Sequence, residues 1–288
     1  MKAYKYKWGI VVLHYKVMEV TLQCIKSLIN IYGSDMMVVV VDNGSDDETT
    51  QDLIRYSLKK KNIQIIISKN NLGFSRGNNL GYLYLKRQGC DFIILLNNDV
   101  IMFQQDFIEK IEEEYAQSKF DILGPAIIDR QGRIVTSYPQ KPVHSTIWAI
   151  YLGQITCIVK WVLSFIKLDV KLAGYIANKQ NKEIGFDSRL RYENVLISGC
   201  CIVFSKEYIK KFDGLNPNTF MYLEEEILFA RANKNYLKIV YTPAVKIIHI
   251  GEAATSCLLG KGEAQKRRFK YLNQFKSFFV LKEELKKR

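Results

Sequence analysis

The sequence predicts an α/β fold whose sheet is parallel in its first half and mixed in its second. Apolar runs of strand length recur at Gly9–Leu13, Met36–Val41, Ile63–Ile67 and Phe92–Leu96, the pattern of strands covered on both faces. Helical spacing or helix-start signals separate them, so three strand-helix units precede the fourth run. That run stops abruptly on Asn97-Asn98-Asp99, at the carboxyl end where open α/β sheets hold their ligands. The first hundred residues therefore read as a Rossmann-like nucleotide-binding half.

In order, the first strand is followed by Leu22, Ile25, Leu28, Ile29 and Tyr32 at helical spacing, with Gly33 as the stop. The second strand ends in Asp42-Asn43-Gly44, and Ser45-x-x-Glu48 reads as a capping box opening a helix. After the third strand, Asn70 to Gly81 is a turn-rich loop running into a helix. Asp106 is placed to cap a helix through Tyr115, and residues 127–135 read as a hairpin with a glycine turn. From Thr146 to Leu168 an amphipathic stretch carries Trp148, Leu152, Ile155, Val159, Val162 and Ile166 on one face, opposite Gly153, Cys157, Lys160 and Ser164. Its uncharged run reads as too short to span a bilayer. A strand is expected over Leu196–Phe204, an acidic helix start at Met221–Glu226, and a β segment from Tyr241 to His249.

A chain of 288 residues can bury a full core. Lys and Arg outnumber Asp and Glu 42 to 29, and the net charge of +13 suggests an anionic partner. No nucleic-acid module is recognised, and the excess charge gathers at one end, so nucleic acid is not the expected partner. The six cysteines form no C-x-x-C pair and mostly sit in apolar runs, which points to reduced thiols and a cytoplasmic protein. The amino terminus has no continuous apolar core of a signal peptide.

Four places could carry chemistry. Asp99, with the amides of Asn97 and Asn98, can hold a hard divalent cation that neutralises a diphosphate; a polar turn would look the same. Asp42 can accept hydrogen bonds from a base or ribose, or simply form a turn. The loop around Asn71, Gly73, Arg76 and Asn78 has small residues that let backbone N–H groups approach phosphate, with Arg76 adding charge. Its glycines match neither the P-loop nor the dinucleotide fingerprint. Glu224 and Glu225 suit a helix start, yet adjacent carboxylates repel, and with partial burial one pKa rises toward that of a general base. His249 ends an apolar strand and gains interest only beside Asp99.

The order of these features resembles that of family 2 glycosyltransferases, and within them bacterial cell-surface polysaccharide enzymes of the rhamnosyltransferase-like kind. The resemblance runs from Gly9 to about Thr255. It rests on Val11-Val12-Leu13-His14-Tyr15, Val41-Asp42-Asn43-Gly44-Ser45, Asn71-Leu72-Gly73-Phe74 with Gly77-Asn78-Asn79-Leu80-Gly81, and Leu95-Leu96-Asn97-Asn98-Asp99. Ser198-Gly199-Cys200, Phe212-Asp213-Gly214, Phe220–Glu225 and His249–Thr255 follow in the family's order. The resemblance implies a GT-A fold: a nucleotide-binding half (1–100) fused to an acceptor half (101–260), on one mixed, mostly parallel sheet with helices on both faces. It implies that Tyr15 and Asp42 meet the nucleotide and that Asp99, with His249 as a further ligand, binds Mn²⁺ or Mg²⁺. Asn97 stands where the family's strict metal motif has an Asp, and His14 and Lys16 stand where Asn is more usual.

The expected activity is inverting transfer from a nucleoside-diphosphate sugar to a hydroxyl of a surface polysaccharide, lipid-linked, with Glu225 or its neighbour Glu224 as base. A nucleotide-sugar-binding relative without catalysis is the alternative that Asn97 favours. In the tail, residues 261–288, ten Lys and Arg stand against three Glu, interleaved with Phe269, Tyr271, Phe275, Phe278, Phe279 and Leu281. This segment is expected to bind an anionic membrane surface, placing the protein peripherally at the inner face of the cell membrane.

Overall fold

The computed structural model describes residues 4–33, 35–58, 60–129, 131–135, 138–170, 186–250 and 262–286. The strands are β1 (Trp8–His14), β2 (Met37–Asp42), β3 (Ile63–Ile67), β4 (Phe92–Asn97), β5 (Val100–Ile101), β6 (Ile122–Ile128), β7 (Tyr192–Glu193), β8 (Cys201–Phe204) and β9 (Ile239–His249). They form one sheet in the order β3-β2-β1-β4-β8-β6-β9-β5, with β7 also on β9. The long ladders β1–β2, β1–β4, β2–β3 and β6–β9 are parallel. Antiparallel β8 joins the halves by pairing with β4 and β6. The helices are α1 (Met18–Tyr32), α2 (Glu48–Ser57), α3 (Gly73–Arg87), α4 (Phe107–Ser118), α5 (Ile147–Leu163), α6 (Lys206–Lys211), α7 (Glu224–Lys234) and α8 (Glu263–Lys286).

Alternation along the central strands explains their uninterrupted apolar runs. Ile10, Val12, Val38, Val40, Ile94 and Leu96 enter one core, while Val11, Val39, Val41, Ile93 and Leu95 enter the other across the sheet. Successive side chains on a strand point to opposite faces, so a strand with helices on both sides has no position left for a polar residue.

Several local expectations need correction. The cap of α2 is Asp47, which accepts from the Thr49 amide; Ser45 instead accepts from the Lys16 amide. Asp106 sits at the start of α4 but makes no cap bond, and its carboxylate is held by Gln104. Strand β8 begins only at Cys201, because residues 198–200 form the turn that faces the cleft. The hairpin over 127–135 closes as Val135 donates to Ile127 and Arg133 N–H to the Asp129 carboxylate. The family-like residues 251–255, and Cys257, lie outside the described residues.

The tail is a helix that packs along α5 and onto α7. Tyr271, Phe278 and Leu281 are buried there, so these three are withdrawn from any lipid surface, while Leu272 and Phe279 stay exposed. With the short 3₁₀ turn that follows it, α5 covers 20 residues from Ile147 to Ile166, long and apolar enough to cross a membrane by length and composition, which corrects the reading of its uncharged run.

Helix α3 lies close on the parallel strands because it carries glycine where they approach. A Cβ on Gly81 would stand 2.6 Å from Val11 Cγ1 and 3.0 Å from Val41 Cγ2. Gly81→Ala should therefore overpack this seam and cost about 1–3 kcal/mol in urea unfolding; an unchanged midpoint would show that the helix can simply ride outward.

Candidate active site

A cleft of about 540 Å³ opens at the carboxyl ends of β1 and β4. It brings together Tyr15, Asn71, Gly73, Asn97, Asn98, Asp99, Glu224, Glu225 and His249 of the residues singled out in the sequence. Asp42, Arg76 and Asn78 do not line it.

Asp99 and His249 meet because β5 pairs with β9. The register sets Val100 opposite His249, and Ile250 N–H donates to the Asp99 carbonyl at 2.9 Å. Asp99 Oδ1 then lies 3.0 Å from His249 Nε2, although the residues are 150 apart in the chain. Asn98 and Asp99 form the turn between β4 and β5, so the triplet is both a turn and part of the cleft wall. Asn98 donates to the Thr21 hydroxyl at 2.9 Å. One carboxylate oxygen and one imidazole nitrogen converge on the cleft, which fits a divalent ion that takes its remaining ligands from diphosphate and water. Among the described residues no third carboxylate, thiolate or imidazole joins them.

The opposite wall is the start of α7. Tyr222 and Leu223 precede it with φ of +76° and +67°, a left-handed conformation that costs a non-glycine residue on the order of 1–3 kcal/mol and clusters at functional sites. Glu224 is buried, with Oε1 unpartnered; desolvation first and the charge of Glu225 second push its carboxyl up to about 8. Glu225 is half-buried, accepts from Gly199 N–H at 3.2 Å, and is raised above the carboxylate range chiefly by desolvation. Glu226 is bound to His144, whose Nδ1 lies 2.7 Å from Oε1 and whose backbone N–H donates to Oε2 at 3.0 Å. Between the walls is Cys200, its thiol pushed up to about 12 by burial and by the charges of Asp99 and Glu225.

The three residues outside the cleft are placed elsewhere. Asp42 is fully buried, accepting from Ser45 N–H at 3.0 Å and from the Thr50 hydroxyl, and so fastens the turn after β2. Its neighbour Asn43 is the residue that reaches the cleft. Asn78 donates to the Phe74 carbonyl inside α3. Arg76 lines a separate cavity of about 640 Å³ with Phe212, Arg231 and Lys234. The loop amides expected to face phosphate are already bonded: Leu72 N–H to Asn43, Gly73 N–H to Asn71 and Phe74 N–H to the Phe220 carbonyl. His14 is a buried structural residue between the hydroxyls of Thr21 and Thr49, its pKa lowered by desolvation.

Tyr138, Gln140, Lys270 and Gln274 complete the lining without having been singled out in the sequence. Asn43 was legible as part of its motif, but these four had no signal, coming from an irregular segment and from the tail helix.

The sequence model described as "Glycosyl transferase family 2" matches residues 9–212, most of the chain. The chain belongs to this family. The low-salt glycan biosynthesis hexosyltransferase of Haloferax volcanii is 24% identical over 242 residues, covering 84% of this chain and 66% of that protein. Two solved structures share the fold. TarS of S. aureus in complex with UDP has a TM-score of 0.53 at 16% identity, covering 94% of this chain and 72% of that one. The mannosyltransferase PcManGT from Pyrobaculum calidifontis, in complex with GDP-Man and Mn²⁺, has a TM-score of 0.54 at 11% identity, with 94% and 63% covered. The GT-A expectation holds for this family 2 chain. The chain spans about two thirds of the lengths of the Haloferax and Pyrobaculum proteins.

Two outcomes test the site. In the folded chain Glu224 keeps a proton that the unfolded chain releases from its ordinary value of 4.5 upward, so stability falls as pH rises between about 4.5 and 8. Glu224→Gln removes that slope, and the thermal midpoint of the variant should gain on the wild type across this window; parallel curves would contradict it. Asp99→Asn should weaken Mn²⁺ binding, read by electron paramagnetic resonance with a nucleoside diphosphate present, by at least about tenfold; unchanged binding would move the metal elsewhere.

Proposed function

We propose that this family 2 member is an inverting glycosyltransferase that takes a nucleoside-diphosphate sugar and passes the glycosyl group to a hydroxyl of a glycan acceptor. The observation carrying this reading is the cleft with the Asp99–His249 pair on one wall and Glu225 on the other. A diphosphate beside the pair leaves the sugar's anomeric carbon toward Glu225. The relatives support the donor class: a hexosyltransferase, and structural neighbours bound to UDP and to GDP-Man with Mn²⁺.

Glu225 takes the proton from the attacking hydroxyl. Its carboxylate is aimed by the Gly199 N–H, and a Cβ on that glycine would lie 2.7 Å from Oε1, so the close approach depends on glycine there. Glu224, holding its proton near neutral pH, does not compete as base and spares Glu225 a second adjacent charge. Attack on the face opposite the diphosphate inverts the anomeric carbon. A Mn²⁺ or Mg²⁺ held by Asp99 and His249 would supply positive charge to the leaving diphosphate. Tyr15, Asn43, Asn71, Gln140, Lys270 and Gln274 all line the cleft; the first three are assigned to the nucleotide and the last three to the acceptor. The acceptor is a lipid-linked surface polysaccharide, met at the cytoplasmic face of the cell membrane.

Glu225→Gln should lower turnover by roughly 10²–10⁴-fold, the usual contribution of a positioned base, while nucleotide binding by calorimetry stays near wild type. Because desolvation raises the Glu225 carboxyl, wild-type turnover should climb with pH on its acid limb and the variant should lose that limb. Near-wild-type turnover in the variant would sink the assignment.

A further inference from the structure

Helix α5 is oriented with its apolar side toward solvent. Trp148 is 83% exposed, Leu152 66%, Ile155 57%, Val162 54% and Ile166 65%. The side against the protein carries Ile150, Gln154, Cys157 and, just beyond the helix, Ser164. Only 22% of the apolar stretch is buried. A helix on a protein surrounded by water does the reverse, and an uncovered apolar stripe of this length marks a partner.

Chemistry around the stripe says which partner. Helix α8 runs antiparallel along the inner side and sets cations at its edges: Lys282 donates to the Tyr151 hydroxyl at 2.6 Å, and the Arg268 guanidinium lies 4.7 Å over the Phe165 ring. Lys160 lies on the helix itself and Lys167 just after the 3₁₀ turn that follows it, within a chain of net charge +13. Trp148, Tyr151 and Trp161 are side chains with an apolar body and a polar tip, suited to the boundary between headgroups and acyl chains. A second copy of so basic a chain would be repelled; an anionic lipid surface is attracted.

We propose that α5 lies in the plane of an anionic bilayer interface, its apolar face among the acyl chains and the flanking Lys and Arg on the headgroups. It does not cross. Buried Asp169 just after it accepts from Arg267 at 2.6 Å and from the Tyr271 hydroxyl at 3.1 Å, fastening it to α8. Crossing would draw Lys266, Lys270 and Lys276 of α8 into hydrocarbon. The elements that carry this surface also border the cleft, since Lys270 and Gln274 of α8 line it and His144, just before α5, holds Glu226. The proposed function enters only in naming what the cleft would collect there; the docking surface stands without it.

The test uses the full chain with vesicles of phosphatidylcholine containing about 30% phosphatidylglycerol. Wild type should float with them, less so as salt rises. The double variant L152E/I155E alters two exposed positions and should float at least about tenfold more weakly, with its nucleotide binding and circular dichroism unchanged. Trp8 is buried, so a fluorescence blue shift on vesicle addition reports Trp148 and Trp161, and lipids brominated near the headgroup should quench it best. No flotation of wild type at low salt, or equal flotation of the variant, overturns the proposal. So does strongest quenching from bromines at the bilayer centre, or a wild-type dimer that the variant abolishes while vesicle binding persists. An inactive chain that still floats, with the variant lost, supports the surface and counts only against the enzymatic reading.

Discussion

The peptide groups of β4 have no water to turn to. With Ile93–Leu96 buried on both faces, each N–H and C=O of that strand must be paired along its edges, by parallel β1 on one side and antiparallel β8 on the other. Both walls of the cleft follow from this. At the end of β4 the chain turns through Asp99 into β5, while across the seam Asn97 N–H donates to the Cys200 carbonyl and fixes the turn that holds Gly199. Gly199 in turn bonds Glu225. The two chemical ends of the site are therefore spaced by one strand pairing.

The cleft gathers four acids within a strongly basic chain and handles each differently. Asp99 is bonded to His249 and Glu226 to His144. Glu224 is kept protonated by burial. Glu225 is left half-exposed with a backbone amide on one oxygen. Four neighbouring carboxylates of equal charge would repel one another; unequal surroundings make the arrangement tolerable.

How far all this was legible depends on what fixes each residue. Burial on two faces writes itself into sequence as an unbroken apolar run, which is why β1 to β4 and the position of Asp99 could be read directly. The helix start at Glu224 was visible as a cluster of acids, but its left-handed entrance at Tyr222 and Leu223 was not, since neither residue type announces that conformation. Asp42 was placed at the nucleotide by its strand-end position, and Arg76 and Asn78 by a loop of small residues and charge; in the fold Asp42 fastens a turn, Arg76 lines another cavity and Asn78 bonds within a helix. Tyr138, Gln140, Lys270 and Gln274 arrive through an irregular segment and a distant helix, and no local pattern records such an arrival. In α5 the pattern told which residues share a face, but only the packing of α8 showed which face meets the protein.

That packing also bears on the order in which the cleft comes into being. The parallel ladders β1–β2, β1–β4 and β2–β3 join strands that follow one another closely along the chain. The complete cleft waits for α8, whose Phe278 and Leu281 close a small core with Ile150 and Ile227 and whose Lys270 and Gln274 finish the lining. A chain emerging amino end first thus has the strands of these three ladders well before it has α8, which supplies part of the cleft lining. Until α8 is made, α5 lacks the Phe278 and Leu281 that cover Ile150 and Cys157 on its inner side, while its apolar outer face stands exposed even in the finished fold.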